Sequence, residues 1–541
     1  MFIEKLTIKN YKGFHGEFSL LLNSGINLIV GDNEAGKSTI LEAINIALTG
    51  VLNGRYLKNE INQYLFNNEV VNRFIAGVSN GDNPELPIIQ IELFFKKGSN
   101  PLFDGNGNSE GVNACGLSFK IEFDQEYKKE YEELINSSEP ITTIPIEYYR
   151  VVWRSFAREP ITSRSIPLKS AFIDSTANKF QNGSDIYISR IIQDDLDSNE
   201  KVLLSQTYRK MKESFVESLS VKSINSKISN KTKITNKKLH VSVDLSAKNS
   251  WETNLMIYLD DVPFHQVGKG EQCIIKTNLA LSHHKAKEAN IVLIEEPENH
   301  LSHTKLNELI KNVIESCSDK QIIISTHSNF VANKLGLDNL ILINNKETFR
   351  LNCLSEGTFN FFKKLPGYQT LRILLCRKAI LVEGDSDELI FQRAYMDKNG
   401  GRLPIEDGID VISVKLTFKR FLEIAEKIHQ PIAVITDNDR DYHNNITKKY
   451  VDYKDSSCVK IFSDPRNELN TLEPQFVDSN KENLKDLCKA IKIRILDYKK
   501  IEDISDYMIK NKTEWALNVF ESELKLNYPD YILRALEWCD E

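Results

Sequence analysis

Ile26-Asn27-Leu28-Ile29-Val30-Gly31-Asp32-Asn33-Glu34-Ala35-Gly36-Lys37-Ser38-Thr39 decides the architecture. Ile26 to Val30 is an apolar run of strand length, and Ser38 to Leu48 carries the apolar spacing of a helix. Between them, Gly31 to Ser38 satisfies the phosphate-binding pattern G-x-x-x-x-G-K-[ST] in full. Glycines let successive backbone N–H groups turn inward, the helix N-terminus adds partial positive charge, and a lysine neutralises the β- and γ-phosphates. Gly31, Asn33, Gly36, Lys37, Ser38 and Thr39 are therefore candidate ATP contacts, with the Ser38 hydroxyl a ligand for Mg²⁺.

A phosphate loop needs a second strand that delivers carboxylates to the metal and the attacking water. Ile291-Val292-Leu293-Ile294-Glu295-Glu296-Pro297-Glu298 ends a buried apolar run in acids. Glu295 is the candidate Mg²⁺ partner and Glu296 the candidate base that orients the hydrolytic water. Gln321-Ile322-Ile323-Ile324-Ser325-Thr326-His327 then sets His327 just past another strand, within reach of a γ-phosphate. Gly268-Lys269-Gly270 forms a glycine-rich turn before an apolar helix.

This order of phosphate loop, turn, Glu-Glu strand and histidine resembles the ABC-type ATPases. The resemblance implies that Gly268, Lys269 and Gly270 of one protomer cap ATP held by another. Lys269 stands where a serine is common in that family. Gln63 reads either as a contact to metal or water or as a surface residue. Lys12, in Asn10-Tyr11-Lys12-Gly13-Phe14, matches a basic position near the nucleotide in SMC-like members, or is an ordinary exposed lysine. The span from Gly36 to Gly268 is too short and too poor in heptads for a long coiled coil, so a compact ATPase with a helical insertion is expected.

A second set of acids follows. Ala379-Ile380-Leu381-Val382-Glu383-Gly384-Asp385-Ser386-Asp387 and Pro431-Ile432-Ala433-Val434-Ile435-Thr436-Asp437-Asn438-Asp439-Arg440-Asp441 both read as strands ending in carboxylates. Strand-end carboxylates of a parallel sheet gather on one edge. At an effective dielectric near 20, each like-charge pair at 4 Å costs ~4 kcal/mol unless protonated or bridged by a cation. Oxygen ligands without His or Cys point to Mg²⁺ or Mn²⁺. Hydrophobic-Glu-Gly-x-x-Asp followed by hydrophobic-Asp-x-Asp resembles the TOPRIM domain.

An ABC ATPase upstream of a TOPRIM domain resembles the overcoming-lysogenization-defect family of ATP-dependent endonucleases. That resemblance implies Glu383, Asp387, Asp437, Asp439 and Glu473 as ligands for two metal ions, Glu383 and Lys512 as catalytic residues, and DNA as substrate. Asp441 is a further candidate for the cluster, whereas Asp385 reads as a turn former. The resemblance also implies antiviral defence in bacteria, with a separate helicase or a retron reverse transcriptase and its DNA as possible partners. Two competing readings are a non-catalytic, SMC-like ATPase that clamps nucleic acid around a metal-braced module, and a primase.

Composition bounds these readings. The chain has 541 residues, 41% hydrophobic and 27% charged, which excludes wholesale disorder and suggests several domains. No run approaches a membrane span, and the alternating N-terminus lacks the layout of a signal peptide, so a cytoplasmic location with no membrane partner is expected. Eight scattered cysteines without a C-x-x-C pair argue for reduced thiols. The net charge of -7 does not exclude a local basic groove.

Apolar runs alternating with amphipathic stretches predict an α/β fold with two parallel sheets. The ATPase is expected over 1–174 and 239–360, the helical insertion over 175–238, and the TOPRIM domain over 370–541. The stretch from Ser79 to Cys115, rich in Gly and Asn, is expected to be a surface loop around one strand, Ile88 to Phe95. In the insertion, Leu204, Tyr208, Met211, Phe215 and Leu219 form an apolar stripe. It reads either as packing on its own domain or as a contact in a homodimer or dimer of dimers. Lysines from Lys201 to Lys238 make that segment basic, so it is either a phosphate contact or a solvated face.

Overall fold

The computed structural model describes the chain except residues 33, 53–54, 83, 137–140, 175–179, 182–183, 186–195, 232–239, 244–256, 284–286, 329–330, 332–334, 345, 365–371, 374–375, 416, 495–499 and 541. Asn33, Lys233, Lys237 and Lys238 therefore lie outside the described residues, as do the boundaries expected at 175, 238–239 and 370. Contacts divide the chain into two compact units, Met1–Val30 with Gly36–Val331, and Gly31–Ala35 with Ala332–Glu541.

In the first unit four parallel strands lie in the order Ser170–Asp174, Ile291–Glu295, Gln321–Thr326, Ile26–Gly31. Their side chains are apolar and almost wholly buried, as expected of a parallel sheet covered on both faces. Asp174 pairs in register with Glu295, Glu295 with Ser325, and Ser325 with Ile29, so the acids lie level with the C-terminal end of the Ile26–Gly31 strand. The helix Lys37–Thr49 follows the loop and ends at Gly50, whose φ of 69° supplies a left-handed cap.

The same unit holds an antiparallel sheet that the two-sheet expectation left out. It pairs Glu17–Leu21, Ile3–Lys9, Ile89–Phe95, Ala114–Phe123 and Tyr149–Ser155. The expected loop from Ser79 to Cys115 is thereby corrected, because its end enters a central strand and Cys115 is fully buried. Gly81, Gly98 and Gly111 turn the chain at positive φ, whereas Gly105 and Gly116 serve close packing. A Cβ on Gly116 would lie 2.3 Å from the Leu93 carbonyl, and one on Gly105 2.2 Å from that of Phe156.

The apolar stripe of the insertion divides between two helices, Ser198–Glu217 and Leu219–Lys231. No residue of the first is buried, and Met211, Phe215 and Leu219 stand 58%, 55% and 87% exposed. Packing of the whole stripe on its own domain is thus not what the described residues adopt.

In the second unit four parallel strands run in the order Ile409–Ser413, Lys378–Val382, Ile432–Ile435, Val459–Phe462. The first strand in sequence lies between the second and the third, so the direction of winding reverses between Lys378–Val382 and Ile432–Ile435. Open α/β sheets bind ligands beyond the strand ends at such a point. The helices Asp385–Lys398, Leu472–Ser479, Lys512–Glu521 and Asp530–Asp540 share one core with the sheet, built around Ile380, Phe391, Phe476, Trp515 and Tyr531. All eight cysteines are free thiols. Among the described residues no helix is long and apolar enough to cross a membrane.

Candidate nucleotide site and candidate metal centre

The phosphate loop turns through left-handed conformations at Glu34 (φ 66°) and Gly36 (φ 94°), a geometry that aims neighbouring N–H groups the same way. Gly36 has a second constraint, since a Cβ there would meet the Phe14 ring at 2.6 Å. Lys37 opens the following helix and is buried, whereas Ser38 is exposed and Thr39 half-buried. The Ser38 hydroxyl hydrogen-bonds Glu295, bringing together the two residues expected at the magnesium. Burial raises the Glu295 pKa from its ordinary value, the Ser38 bond opposes the rise, and the charges of Asp174, Glu296 and Glu42 add to it.

Glu296, just past the strand end, adopts a left-handed φ of 40°. His327 Nε2 lies 3.2 Å from Glu296 Oε1, and Asn299 Nδ2 donates to Glu296 Oε2 at 2.8 Å. Glu298 fixes the neighbouring turn. Its Oε1 accepts from Thr326 Oγ1 at 2.6 Å and from the backbone N–H groups of His327 and Ser328 at 2.8 and 3.1 Å. Gly268 caps the helix Lys269–Ser282, and a Cβ on Gly270 would lie 2.5 Å from the His300 carbonyl oxygen. The Oε1 of Gln63 is buried without a partner among the described residues, which sets that side chain apart from a surface glutamine. Lys12 is not free: it pairs with Glu42, which also accepts from the Tyr11 hydroxyl.

In the second unit Glu383 and Asp437 follow the adjacent strands at the reversal point. Glu383 Oε1 accepts from the Asp437 backbone N–H at 3.1 Å and from the Thr436 hydroxyl. Asp387 lies in the first turn of the next helix, where its Oδ2 accepts from Gly384 N–H at 3.1 Å. Glu473, in the first turn of Leu472–Ser479, is 2% exposed. Asp439 is exposed, with φ 50°, and its N–H donates to the Asn470 carbonyl at 3.3 Å.

These carboxylates share one electrostatic field. Burial first, then the charges of Glu383 and Glu473, push the Asp387 pKa up to about 7. The Asp437 pKa is raised well above its ordinary value by burial and by the charges of Asp387, Glu383, Glu473 and Asp439. Among the described residues no Lys or Arg forms an ion pair with Glu383, Asp387, Asp437 or Glu473. As the side chains stand, no three His, Cys, Asp or Glu residues among those described converge on one metal position. The donor set nevertheless fits hard divalent cations, being oxygen only, crowded with like charge and unpaired.

Lys512 is exposed at the start of its helix, and Trp515 of that helix lies 5.4 Å from Phe476 of the Glu473 helix, centroid to centroid. Asp441 instead closes a local turn, accepting from Asn444 N–H and Nδ2 at 3.0 and 2.6 Å, bonds that lower its pKa. Three features escaped the sequence. Asp174 ends a strand beside Glu295, and the apolar Ala171-Phe172-Ile173 before it was the available signal. Asn438 is fully buried, and its Nδ2 contacts the carbonyls of Asp464, Arg466 and Leu469 at 2.8–3.2 Å. Tyr450 keeps a buried hydroxyl without a partner among the described residues, and the Glu383 charge helps raise its pKa.

The two sheets, each edged with acids, define an ATPase domain joined to a TOPRIM domain. Residues 1–332 match the family model described as AAA ATPase domain, and residues 374–439 match that of the overcoming-lysogenization-defect protein-like TOPRIM domain. The chain belongs to the AAA ATPase domain family and, with its TOPRIM match, to the overcoming-lysogenization-defect family of ATPase–TOPRIM fusions.

The DNA double-strand break repair Rad50 ATPase of Archaeoglobus fulgidus is 42% identical over 59 residues, covering 11% of this chain and 6% of that protein. The Smc head bound to the C-terminal winged-helix domain of ScpA aligns at 16% identity and TM-score 0.32, over 65% of this chain and 99% of the other. The Thermotoga maritima SMC head domain aligns at 14% identity and TM-score 0.30, over 64% and 97%.

Proposed function

We propose that the chain is an ATP-controlled, divalent-metal-dependent DNA endonuclease. The observation that carries this reading is the carboxylate set Glu383, Asp387, Asp437 and Glu473, gathered at the reversal point of a parallel sheet with no basic partner among the described residues. Mg²⁺ or Mn²⁺, two ions in the nuclease reading, supplies Lewis-acid stabilisation of the phosphodiester and activation of water. Glu383, Asp387, Asp437, Asp439 and Glu473 hold the ions, and Lys512 faces the charge that develops on phosphorus.

In the ATPase, Gly31, Asn33, Gly36, Lys37, Ser38 and Thr39 hold the triphosphate, and Ser38 with Glu295 holds its Mg²⁺. Glu296 orients the attacking water and His327 supports Glu296, consistent with their 3.2 Å separation. Gly268, Lys269 and Gly270 close on ATP bound by a second copy. The exposed stripe of the insertion, 175–238, supports dimerisation through Met211, Phe215 and Leu219. The ATPase is assigned to 1–174 and 239–360 and the nuclease to 370–541, with antiphage defence in the cytoplasm of bacteria as the biological setting. A separate helicase or a retron reverse transcriptase with its DNA would act as a partner.

The test is cleavage of supercoiled plasmid and end-labelled linear DNA with Mg²⁺ or Mn²⁺, with and without ATP. Metal-dependent nicking is expected. ATP-dependent binding that never yields cut ends would replace this reading with that of a nucleic-acid clamp, and oligonucleotide synthesis from NTPs with that of a primase.

A further inference from the structure

At the end of the phosphate-loop helix remote from Lys37, the ATPase unit carries an open groove of about 800 Å³. The helix has 13 residues, so the groove begins ~20 Å along it from the phosphate loop. Thr49 and Gly50 form one wall, and the strand Tyr149–Ser155 forms another. The wall is rigid. Trp153 Nε1 donates to the Ala47 carbonyl at 2.9 Å, and a Cβ on Gly50 would lie 3.0 Å from the Trp153 ring.

The charge of the groove runs against that of the chain. Acids outnumber bases by 76 to 69 in the whole sequence, yet the described lining contains Lys58, Arg150 and Arg154 and no acid. Arg150 shares Glu122 and Asp124 at 3.4 and 3.2 Å, from outside the lining. Lys58 and Arg154 are exposed and form no ion pair among the described residues. Beside them Tyr56 stands 69% exposed and offers a ring to the groove.

Two unpaired cations and an open aromatic face in one concavity match a ligand that offers phosphate and a flat ring together. We propose that this groove binds single-stranded DNA, with backbone phosphates on Lys58 and Arg154 and an unstacked base on Tyr56. Duplex DNA offers the phosphates, but its bases are stacked away from an aromatic platform, so the single strand is favoured. This goes beyond the cleavage reading, because occupancy of the groove requires no cut.

The experiment measures binding of a fluorescein-labelled dT12 oligonucleotide to full-length protein by anisotropy, in EDTA so that no metal is bound. Lys58→Glu/Arg154→Glu is expected to weaken binding at least 10-fold and to flatten its salt dependence, each lost phosphate contact lowering the log–log slope by ~0.7. Tyr56→Ala is expected to weaken binding about 10-fold with the slope unchanged. Should charge reversal reduce the yield of folded protein, Lys58→Gln/Arg154→Gln serves in its place, with the same direction expected.

Wild-type affinity in both the charge variant and Tyr56→Ala would overturn the proposal. So would a 12-base-pair duplex that binds as tightly and loses as much in Tyr56→Ala. The two readings fail separately. A protein that binds through the groove but never cuts loses only the nuclease reading, whereas one that cuts while both variants bind normally loses only the groove.

Discussion

The Asp437 backbone N–H donates to Glu383 Oε1 at 3.1 Å, so the carboxylate that ends one strand is held by the main chain that ends its neighbour. The bond fixes one oxygen of Glu383 and leaves the other for a ligand. Thr436, at a position that the acidic pattern leaves open, is buried and donates its hydroxyl to the same Oε1.

The carboxylate cluster gives the TOPRIM unit a pH dependence with a definite sign. The folded Asp387 pKa, about 7, lies above the ordinary 3.8, and that of Asp437 is also raised, so between these values the folded state binds more protons than the unfolded one. The contribution of Asp387 to stability is therefore fully present below about pH 4 and is lost as pH rises through about 7, and the raised pKa of Asp437 adds in the same direction. Without metal, the melting temperature of the TOPRIM unit should gain from this cluster on going from pH 8 to pH 6. Mg²⁺ or Mn²⁺ at pH 8 should restore that gain, and Asp387→Asn should reduce the pH dependence. A thermal melt at each pH, with EDTA or metal, checks both.

Asn438 is the structural pin of the Asp437–Asp439 turn. Its Nδ2 reaches three carbonyls, and its Oδ1 accepts from Arg440 N–H at 2.9 Å. At about 0.5–1.5 kcal/mol for each net hydrogen bond, with buried carbonyls left unsatisfied, Asn438→Ala should destabilise the unit by roughly 2–4 kcal/mol. Urea unfolding of the full chain, followed by tryptophan fluorescence, measures this. Asn438→Asp should be worse, because it adds a charge beside Asp437 and Asp439.

In the ATPase unit, the contact of Glu296 with His327 predicts a separation of binding from turnover. Glu296→Gln keeps the shape and removes the carboxylate proposed as the base, and should lower ATP hydrolysis by about 10²–10⁴-fold while leaving ATP affinity close to wild type. Lys37→Ala should instead weaken ATP binding itself. Equilibrium binding of a fluorescent ATP analogue alongside phosphate release distinguishes the two.

Gly270 tests the packing of the glycine-rich turn. A Cβ there would lie 2.5 Å from the backbone oxygen of His300, which cannot swing away as a side chain can. Gly270→Ala should displace the turn and reduce ATP hydrolysis, whereas Gly268→Ala, with open space around it, should be tolerated structurally. Comparing the melting temperature and ATPase rate of the pair checks this.

The parallel sheets were legible because both faces of each strand are buried, which writes an apolar run ending abruptly in function-bearing residues: Ile291 to Ile294 before Glu295, Ala379 to Val382 before Glu383. The antiparallel sheet was largely illegible. Ala114–Phe123 is buried on both faces, so it lacks period-two alternation, and its Gly116 reads as a breaker although it marks a close approach to Leu93 and Phe156. The pattern identified the acids but not the residues that orient them. Thr436, Asn438 and Glu298 act through distances that only the folded chain sets, and Ser170–Asp174 is a short edge strand whose partner lies far along the sequence.

The central claim is tested most directly by nicking of supercoiled plasmid in Mn²⁺ by wild-type protein and by Glu383→Ala, purified identically and matched for ATP hydrolysis. The account predicts open-circular product with the wild type, none above background with Glu383→Ala, and equal ATPase rates for the two. Nicking by Glu383→Ala at the wild-type rate, with no loss on adding EDTA, would contradict it.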